Sequence, residues 1–427
     1  MAVIDMNKYF HSVVLEEEKC KGCTHCMRKC PMEAIRVRDK RAIIIKERCI
    51  DCGECIIVCP YHAQNAITDD LSRLQDFEMN IAILSTTMYG QFTDNIDMNK
   101  VYQGIKNMGF DYVYDEGIAA DISSIILRNI IEKEKIPKPI ISSMCPAILR
   151  IIQVRFPTLL KNIVNIESPM EIAARLAKRE IMKKNNIKED NIGVFYLTPC
   201  PAKVTSIKQP IGIEKSELTG AISIKKIYGD IVSNTKHITD YDKFNKGSHL
   251  GIGWSSVGGQ SKAIGIKNYI SADGIDNVID VLEEIELGKL NNIDFFEGYA
   301  CIGGCVGGPL NVENPFIASS RIRKISNNEE YKSKVKDSYA MDLYKTKAVC
   351  WTNELKPKEI MQLDDDFETA VKKIEKLKYI LDILPGLDCG SCGAPSCRAL
   401  AEDIVRGYAN IYDCMFMNDN NNDNEGG

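Results

Sequence analysis

Residues 297–309 read EGYACIGGCVGGP, and the rest of the chain is best understood outward from this stretch. Cys301 and Cys305 lie four apart, with Gly303 and Gly304 between them and Gly307 and Gly308 just after. Glycine tolerates positive φ and lets main chain approach a ligand with no Cβ in the way. Two soft thiolates select zinc, copper(I) or an iron–sulfur cluster. Taken alone, the stretch fits a buried pair of small apolar cysteines equally well.

Two more cysteines occupy similar settings upstream, Cys145 in Ser142-Ser143-Met144-Cys145-Pro146 and Cys200 in Thr198-Pro199-Cys200-Pro201-Ala202-Lys203. Together the three stretches resemble the cofactor-binding signatures of the iron-only (FeFe) hydrogenases. Pro157, Leu159-Leu160 and Glu167-Ser168-Pro169-Met170-Glu171 follow Cys145 at that family's spacing, and Gly251-Ile252-Gly253 with Gly258-Gly259 resemble its glycine-rich strand-to-helix segment. The resemblance spans about residues 80 to 350. It implies that Cys145, Cys200, Cys301 and Cys305 hold a cubane, and that Cys305 also bridges to a diiron unit carrying CO, cyanide and an azadithiolate. Lys203 matches the family lysine that donates to cyanide, and Thr87 lies where the family offers a second such bond.

Composition bounds the answer. A chain of 427 residues with 44% hydrophobic and 26% charged residues has room for two or three globular domains. A net charge of −5 without a basic tract argues against nucleic acid. No stretch offers the ~18 consecutive apolar residues of a membrane span, and the N-terminus shows no signal-peptide pattern. The expectation is a cytoplasmic protein with no membrane partner. Its 17 cysteines fall in metal-type spacings rather than a secreted disulfide pattern.

Residues 20–31 read CKGCTHCMRKCP and residues 49–60 read CIDCGECIIVCP. Each is the run of bacterial two-cluster ferredoxins, in which the fourth cysteine serves the other cluster. One cluster is therefore expected on Cys20, Cys23, Cys26 and Cys59, and the other on Cys49, Cys52, Cys55 and Cys30. Zinc fits poorly, because zinc sites use paired knuckles rather than duplicated four-cysteine runs. Ala34–Val37 and Ala42–Ile45 are candidate short strands. His25 lies inside the first run, where four thiolates per cluster leave it no ligand role.

Strand and helix patterns alternate after residue 71. Ile81–Leu84 and Ile192–Tyr196 are buried-strand runs ending in polar or cysteine-bearing loops. Helical patterns cover Met98–Met108, Asp121–Lys135 and Ser168–Lys184, the last opened by Ser168 as N-cap and Pro169. This is an α/β pattern, in which ligands bind beyond strand ends.

The departures from the family pattern bear on rate. Fast members carry a free cysteine immediately before the first ligand as the proton-passing group; Met144 stands there and cannot titrate. Asp121–Ile131 contains no Glu, Val164 replaces a serine, and Ser206 replaces a glutamate. A general acid must lie within hydrogen-bond reach of the proton it moves, so the family's proton route is missing. Thr198 and Tyr299 replace two methionines beside the cofactor, and their hydroxyls are expected either to donate toward its ligands or simply to fill space.

From Asp364 to Ile383, apolar residues recur at helical spacing in a segment expected to link domains or pack on a partner. Residues 384–414 follow, LPGLDCGSCGAPSCRALAEDIVRGYANIYDC. They resemble the small four-cysteine iron–sulfur domain of corrinoid proteins and electron-transfer subunits, with Cys389, Cys392, Cys397 and Cys414 as ligands and zinc as the alternative metal. The counts then close on four cubanes, and only Cys350 is left over, a candidate buried apolar residue beside Trp351. The tail from Asn418 to Gly427 has the composition of disorder.

The resemblance therefore implies an α/β catalytic domain of the FeFe-hydrogenase type over 76–355, preceded by an α+β two-cluster ferredoxin domain over 1–75. A linker helix over 356–385 and a small α-rich iron–sulfur domain over 386–417 complete it. The expected function is slow reversible H2 oxidation and proton reduction by an enzyme of the sensory subgroup. Electrons would be relayed through 4Fe–4S clusters to ferredoxin or another redox protein, with a signalling partner downstream. A non-catalytic iron–sulfur protein, or an electron-transfer subunit without the diiron unit, is the alternative.

Overall fold

The computed structural model describes residues 10–93, 95–133, 136–360 and 362–418. The tail expected to be disordered lies outside these from residue 419 on. The chain forms two compact units: residues 1–50, 54–66 and 358–427 make the first, and residues 51–53 and 67–357 the second.

In the first unit, β1 (Val13–Leu15) pairs antiparallel with β4 (Gln64–Ala66). A hairpin joins β2 (Ile35–Arg38) to β3 (Arg41–Ile44) with Ile35 opposite Ile44. The short helices His25–Arg28 and Glu54–Ile57 each lie inside one cysteine run. The internal repeat is visible in matching hydrogen bonds. Ala34 N–H donates to Cys30 Sγ at 3.2 Å, and Ala63 N–H donates to Cys59 Sγ at 3.2 Å. Val13, Met27, Ile35 and Ala42 form a small core around Cys26 and Cys55.

The same unit holds the C-terminal segment. The helix Phe367–Ile383 is capped by Asp366, whose side chain accepts from Thr369 N–H. Its Leu377 and Ile380, with Leu384, pack on Ala394, Ala399, Leu400, Ala401 and Val405. The segment expected to link domains or pack on a partner thus packs within its own unit. Its apolar stripe is buried against its own C-terminal module, each buried leucine or isoleucine contributing roughly 1.5–3 kcal/mol.

The second unit is built on two parallel sheets. One has the order β6 (Tyr112–Asp115), β5 (Met79–Leu84), β8 (Ile192–Thr198), β9 (Gly220–Ser223); the other β10 (Tyr269–Asp273), β11 (Phe295–Tyr299), β7 (Ile140–Ile141). Strand side chains alternate between faces, and both faces of the first sheet are buried. Ile81, Ile83, Val194 and Tyr196 enter one core, while Ala82, Leu84, Phe195 and Leu197 enter another. Helices cover both sides, which explains why these strands read as continuous apolar runs rather than as alternation. Because all strands in a sheet are parallel, their carboxyl ends share one edge.

Two local expectations are corrected. The glycine-rich stretch around Gly251–Gly259 is not strand-to-helix; it is the helix His249–Gly253, a turn, and the helix Gly259–Ile264. A Cβ on Gly259 would lie 1.9 Å from the Gly253 carbonyl oxygen, so close packing of the turn is what requires glycine. Ser168 does stand at the N-cap of the helix Pro169–Asn185, but its side chain accepts no capping hydrogen bond.

That helix is instead anchored by Glu171, whose carboxylate accepts from Ser216 Oγ at 2.6 Å and Glu217 N at 2.9 Å. Burial outweighs these bonds and pushes the Glu171 pKa up from 4.5 to about 7. A folded-state pKa above the unfolded one gives stability that is present at low pH and lost as pH rises through the folded value. Thermal denaturation of the wild type and Glu171→Gln between about pH 5 and about pH 8 checks this. The wild type should lose stability relative to the variant as pH rises, by at most about 3 kcal/mol.

Candidate metal centre

Strand β8 runs into Thr198-Pro199-Cys200, and the helix Pro201–Lys208 begins at once, with Cys200 as N-cap and Pro201 in the first turn. Strand β7 runs into Ser142-Ser143-Met144-Cys145, and the helix Pro146–Arg155 begins in the same way. Both cysteines therefore stand at helix N-termini, where the peptide dipoles favour a thiolate. Proline suits the first turn because its missing N–H would have had no helical partner.

Strand β11 delivers the third loop. Gly303 and Gly304 adopt φ +84° and +92°, a region that favours glycine. A Cβ on Gly304 would stand 2.7 Å from the Ser255 carbonyl oxygen, and one on Gly308 would stand 2.4 Å from that of Pro199. Leu310 N–H also donates to Pro199 O at 2.9 Å. Main-chain contact thus holds the Cys305 loop against the Cys200 loop.

The sulfur atoms sense one another. Burial pushes the Cys200 thiol up to about 11, with Lys203 opposing and Cys145 adding to the rise. Burial likewise pushes Cys305 up, opposed by Lys203 and reinforced by Cys200 and Cys145. Cys301 is buried and shares the Cys305 turn through Gly304 N–H donating to Cys301 O at 3.1 Å. These thiols form no disulfide. Soft donors on glycine-constrained loops suit an iron–sulfur cubane.

Beside them lies a buried charge pair that the motifs did not reveal. Lys203 is 2% exposed and Glu116 1%; Lys203 Nζ donates to Glu116 Oε1 at 3.2 Å and to Tyr196 OH at 2.8 Å. Glu116 also accepts from Thr86 N at 3.1 Å and from Tyr196 OH at 3.0 Å. Burial alone would lower the Lys203 pKa, but Glu116, Tyr196, Cys305 and Cys200 outweigh it and hold the ammonium protonated. Two of its three N–H groups are engaged in these bonds. The signal for Glu116 was its place in Tyr112-Val113-Tyr114-Asp115-Glu116-Gly117, an acidic pair at the carboxyl end of a parallel strand.

Gln260 is the second residue missed. Its Oε1 accepts from Ser142 Oγ at 2.6 Å, and its Nε2 donates to Tyr299 OH at 2.8 Å and to Met144 Sδ at 3.4 Å. Tyr299 donates its hydroxyl proton to Trp254 O at 2.9 Å. Thr198 donates its own to Cys200 O at 3.0 Å and accepts from Cys200 N at 3.4 Å. In this structure each of the two hydroxyls thus donates its one proton to a backbone carbonyl. Thr87 is fully buried, with its hydroxyl donating to Ser85 Oγ at 3.1 Å.

In the first unit Cys20, Cys23, Cys26 and Cys59 line one cavity with Val37 and Ala42. Burial pushes Cys26 up to about 11, and Cys23, Cys59 and Cys20 add to it. His25 is exposed at that cavity's rim. Cys30 and Cys55 lie in the first unit, Cys30 accepting from Ala34 N–H and Cys55 lying buried in its short helix, while Cys49 is half-buried. Cys52 belongs to the 51–53 segment of the second unit. There Asp51 accepts from Thr205 Oγ1 at 2.8 Å, and a Cβ on Gly53 would meet Pro309 at 2.6 Å and Pro201 at 3.1 Å. Cys389, Cys392, Cys397 and Cys414 line one further cavity with Gly390, Leu400 and Met415. Cys350 is buried.

Parallel strands with cysteine loops at their carboxyl ends define the fold class as an α/β iron–sulfur domain flanked by iron–sulfur modules. The profile of the iron only hydrogenase large subunit, C-terminal domain, matches residues 79–214 and 219–309. A 4Fe-4S dicluster domain matches 12–60, and an Fe-S cluster domain matches 384–416. The first match spans more than half of the chain, so the chain belongs to the iron-only hydrogenase family.

It is similar to the periplasmic iron hydrogenase large subunit of Nitratidesulfovibrio vulgaris, 28% identical over 212 residues covering 45% of this chain and 50% of that protein. Iron hydrogenase 1 of Clostridium pasteurianum is 23% identical over 301 residues, 56% of this chain and 50% of that one. The cytosolic Fe-S cluster assembly factor NAR1 of Debaryomyces hansenii is 30% identical over 134 residues, 31% of this chain and 24% of that one. The chain thus spans half or less of each of these relatives. A solved FeFe-hydrogenase, a variant of HydA1 from Chlamydomonas reinhardtii, covers 68% of this chain and 97% of its own at 16% identity and a TM-score of 0.48. Among the described residues no helix is long and apolar enough to cross a membrane.

Removing one partner of a buried ion pair leaves the other charge uncompensated, at a cost of about 3–5 kcal/mol. Lys203→Met is therefore expected to lower stability by that amount in chemical denaturation. The double variant Lys203→Met/Glu116→Gln should recover most of the loss.

Proposed function

We propose that this chain is a low-turnover FeFe-hydrogenase-type enzyme that interconverts H2 with protons and electrons, and that its output is sensory. Cys145, Cys200, Cys301 and Cys305 would hold a cubane, with Cys305 shared with a diiron unit bearing CO, cyanide and azadithiolate. When bound, that unit supplies the open iron site and the amine at which H2 is split heterolytically; the protein supplies position and electrostatics. The observation that carries the reading is Lys203, an ammonium 2% exposed and next to two ligand thiols. Besides pairing with Glu116, Lys203 would offer its remaining N–H to a cyanide of that unit.

The surrounding residues set the rate. Met144 is buried and its sulfur only accepts a weak hydrogen bond from Gln260, so the position next to the first ligand cannot pass a proton. Tyr299 and Gln260 hold each other and the Trp254 carbonyl, closing this side with groups already committed. Such an arrangement suits a protein that registers H2 and passes single electrons to a ferredoxin-like or signalling partner in the cytoplasm. It does not suit bulk H2 production.

A second reading has its own support. Similarity to NAR1, a cytosolic Fe-S cluster assembly factor, fits a protein that holds cubanes without H2 chemistry. Infrared spectroscopy after maturation separates the two. Carbonyl and cyanide bands are expected, together with H2 turnover well below that of proton-reducing relatives; a spectrum without these bands means the second reading holds. In the same preparation Met144→Cys should raise proton reduction, because it restores a titratable group next to the first ligand, but leave it below that of proton-reducing relatives, because Val164, Ser206 and the Glu-free stretch Asp121–Ile131 still interrupt the route.

A further inference from the structure

The C-terminal module and the ferredoxin domain are more than 300 residues apart in the chain, yet their contacts are those of a built interface. Arg36 on β2 forms a two-pronged bond to Asp403, Nε to Oδ2 at 2.6 Å and Nη2 to Oδ1 at 3.0 Å, both side chains 6% exposed. Arg48 pairs with the adjacent acid, Glu402, at 2.7 Å, with 5% and 8% exposure. Two neighbouring acids on the helix Cys397–Val405 thus meet arginines from two separate ferredoxin segments. Buried pairs of this kind specify register more than they stabilise.

The main chain joins in. Val37 N–H donates to Gly393 O at 2.8 Å. Gly393 has φ +77°, and a Cβ there would stand 1.9 Å from Val37 O, so the approach requires glycine. Ser396 Oγ donates to Glu33 at 2.8 Å.

Two further guanidinium groups touch the ligand loop itself. Arg28 donates to the carbonyl of Cys389 and Arg38 to that of Cys392. Both acceptors belong to cysteines of the C-terminal cavity. Meanwhile Val37, the neighbour of Arg38, lines the cavity of Cys20, Cys23, Cys26 and Cys59. One strand therefore borders one metal site and reaches into the loop of another.

We propose that the C-terminal module is a fixed part of the ferredoxin domain. Arg36–Asp403 and Arg48–Glu402 latch it, and Arg28 and Arg38 raise the reduction potential of the iron–sulfur group held by Cys389, Cys392, Cys397 and Cys414. A reduced cluster carries one more negative charge than an oxidised one, and nearby cations and hydrogen bonds stabilise it preferentially. Arg28 and Arg38 are positioning and charge-supplying residues; they do not ligate iron. The module is then a neighbour of the site formed by Cys20, Cys23, Cys26 and Cys59, in series with it and not a separate exit. The inference rests on iron–sulfur occupancy of these two sites and is independent of the diiron unit and of any H2 chemistry.

The test uses the full chain reconstituted with iron and sulfide, titrated potentiometrically and followed by electron paramagnetic resonance. Cys414→Ser identifies the signals of the C-terminal site. In Arg28→Gln/Arg38→Gln, whose altered side chains lie in the exposed or half-buried part of the interface, the midpoint of those signals should move negative. Arg28→Lys/Arg38→Lys, which keeps the charge, should stay near the wild-type value. In the fully reduced wild type, spin–spin broadening of the signals from the Cys20, Cys23, Cys26 and Cys59 site is expected beyond that caused by the second ferredoxin site, and Cys414→Ser should remove this extra part. An unchanged midpoint in the glutamine variant, or an equal shift in both variants, overturns the charge account. Broadening equal in the wild type and in Cys414→Ser overturns the adjacency.

Discussion

An ammonium and a carboxylate shut away from water constrain the whole centre. Lys203 and Glu116, 3.2 Å apart, follow different strands of the same parallel sheet, Lys203 in the helix Pro201–Lys208 after β8 and Glu116 at the start of the helix Glu116–Lys133 after β6. Charges buried this deeply persist only when paired and hydrogen-bonded, and Tyr196, Thr86 and Ser85 supply the rest of the bonding. The pair therefore locks the ends of β5, β6 and β8 together. The same edge carries Cys200, and the Cys305 loop is held to it through Pro199. The ammonium also feels the Cys305 and Cys200 thiols, which help to keep it protonated.

What could be read beforehand followed from short-range rules. Cysteine spacing announced the metal sites, and unbroken apolar runs at Ile81–Leu84 and Ile192–Tyr196 announced strands buried on both faces. Ser168-Pro169 announced a helix start, and Pro169 does open the helix Pro169–Asn185. Contacts between distant segments left no comparable trace. Glu116 is one acid among 59 acidic residues, distinguished only by its position at a strand end. Gln260 bridges Ser142, Met144 and Tyr299 from a helix that glycine content had disguised as a strand-to-helix turn. Sequence does not show that the hydroxyls of Thr198 and Tyr299 have backbone carbonyls within reach to accept from them. Nor does an amphipathic stripe on Phe367–Ile383 say which surface will cover it.

The iron–sulfur modules extend the same logic outward. Each four-cysteine set lies on turns containing positive-φ residues, such as Gly22, Gly53, Gly390 and Gly393, because sulfur atoms from one short run can converge only if the backbone curls tightly. The charge distribution differs between sites. A lysine ammonium lies beside the thiols of the second unit, whereas arginines face the C-terminal module, where the Asp403 carboxylate accepts two bonds from Arg36 and the Cys389 and Cys392 carbonyls accept one each from Arg28 and Arg38.

Crystals of the matured protein measured on either side of the iron absorption edge test the central claim most directly. The account requires a cubane of iron within bonding distance of Cys145, Cys200, Cys301 and Cys305, and a separate pair of irons joined to it through the Cys305 sulfur. Iron at the cubane position without the pair, in protein that has received the full maturation machinery, or no iron between those four sulfurs, would contradict it.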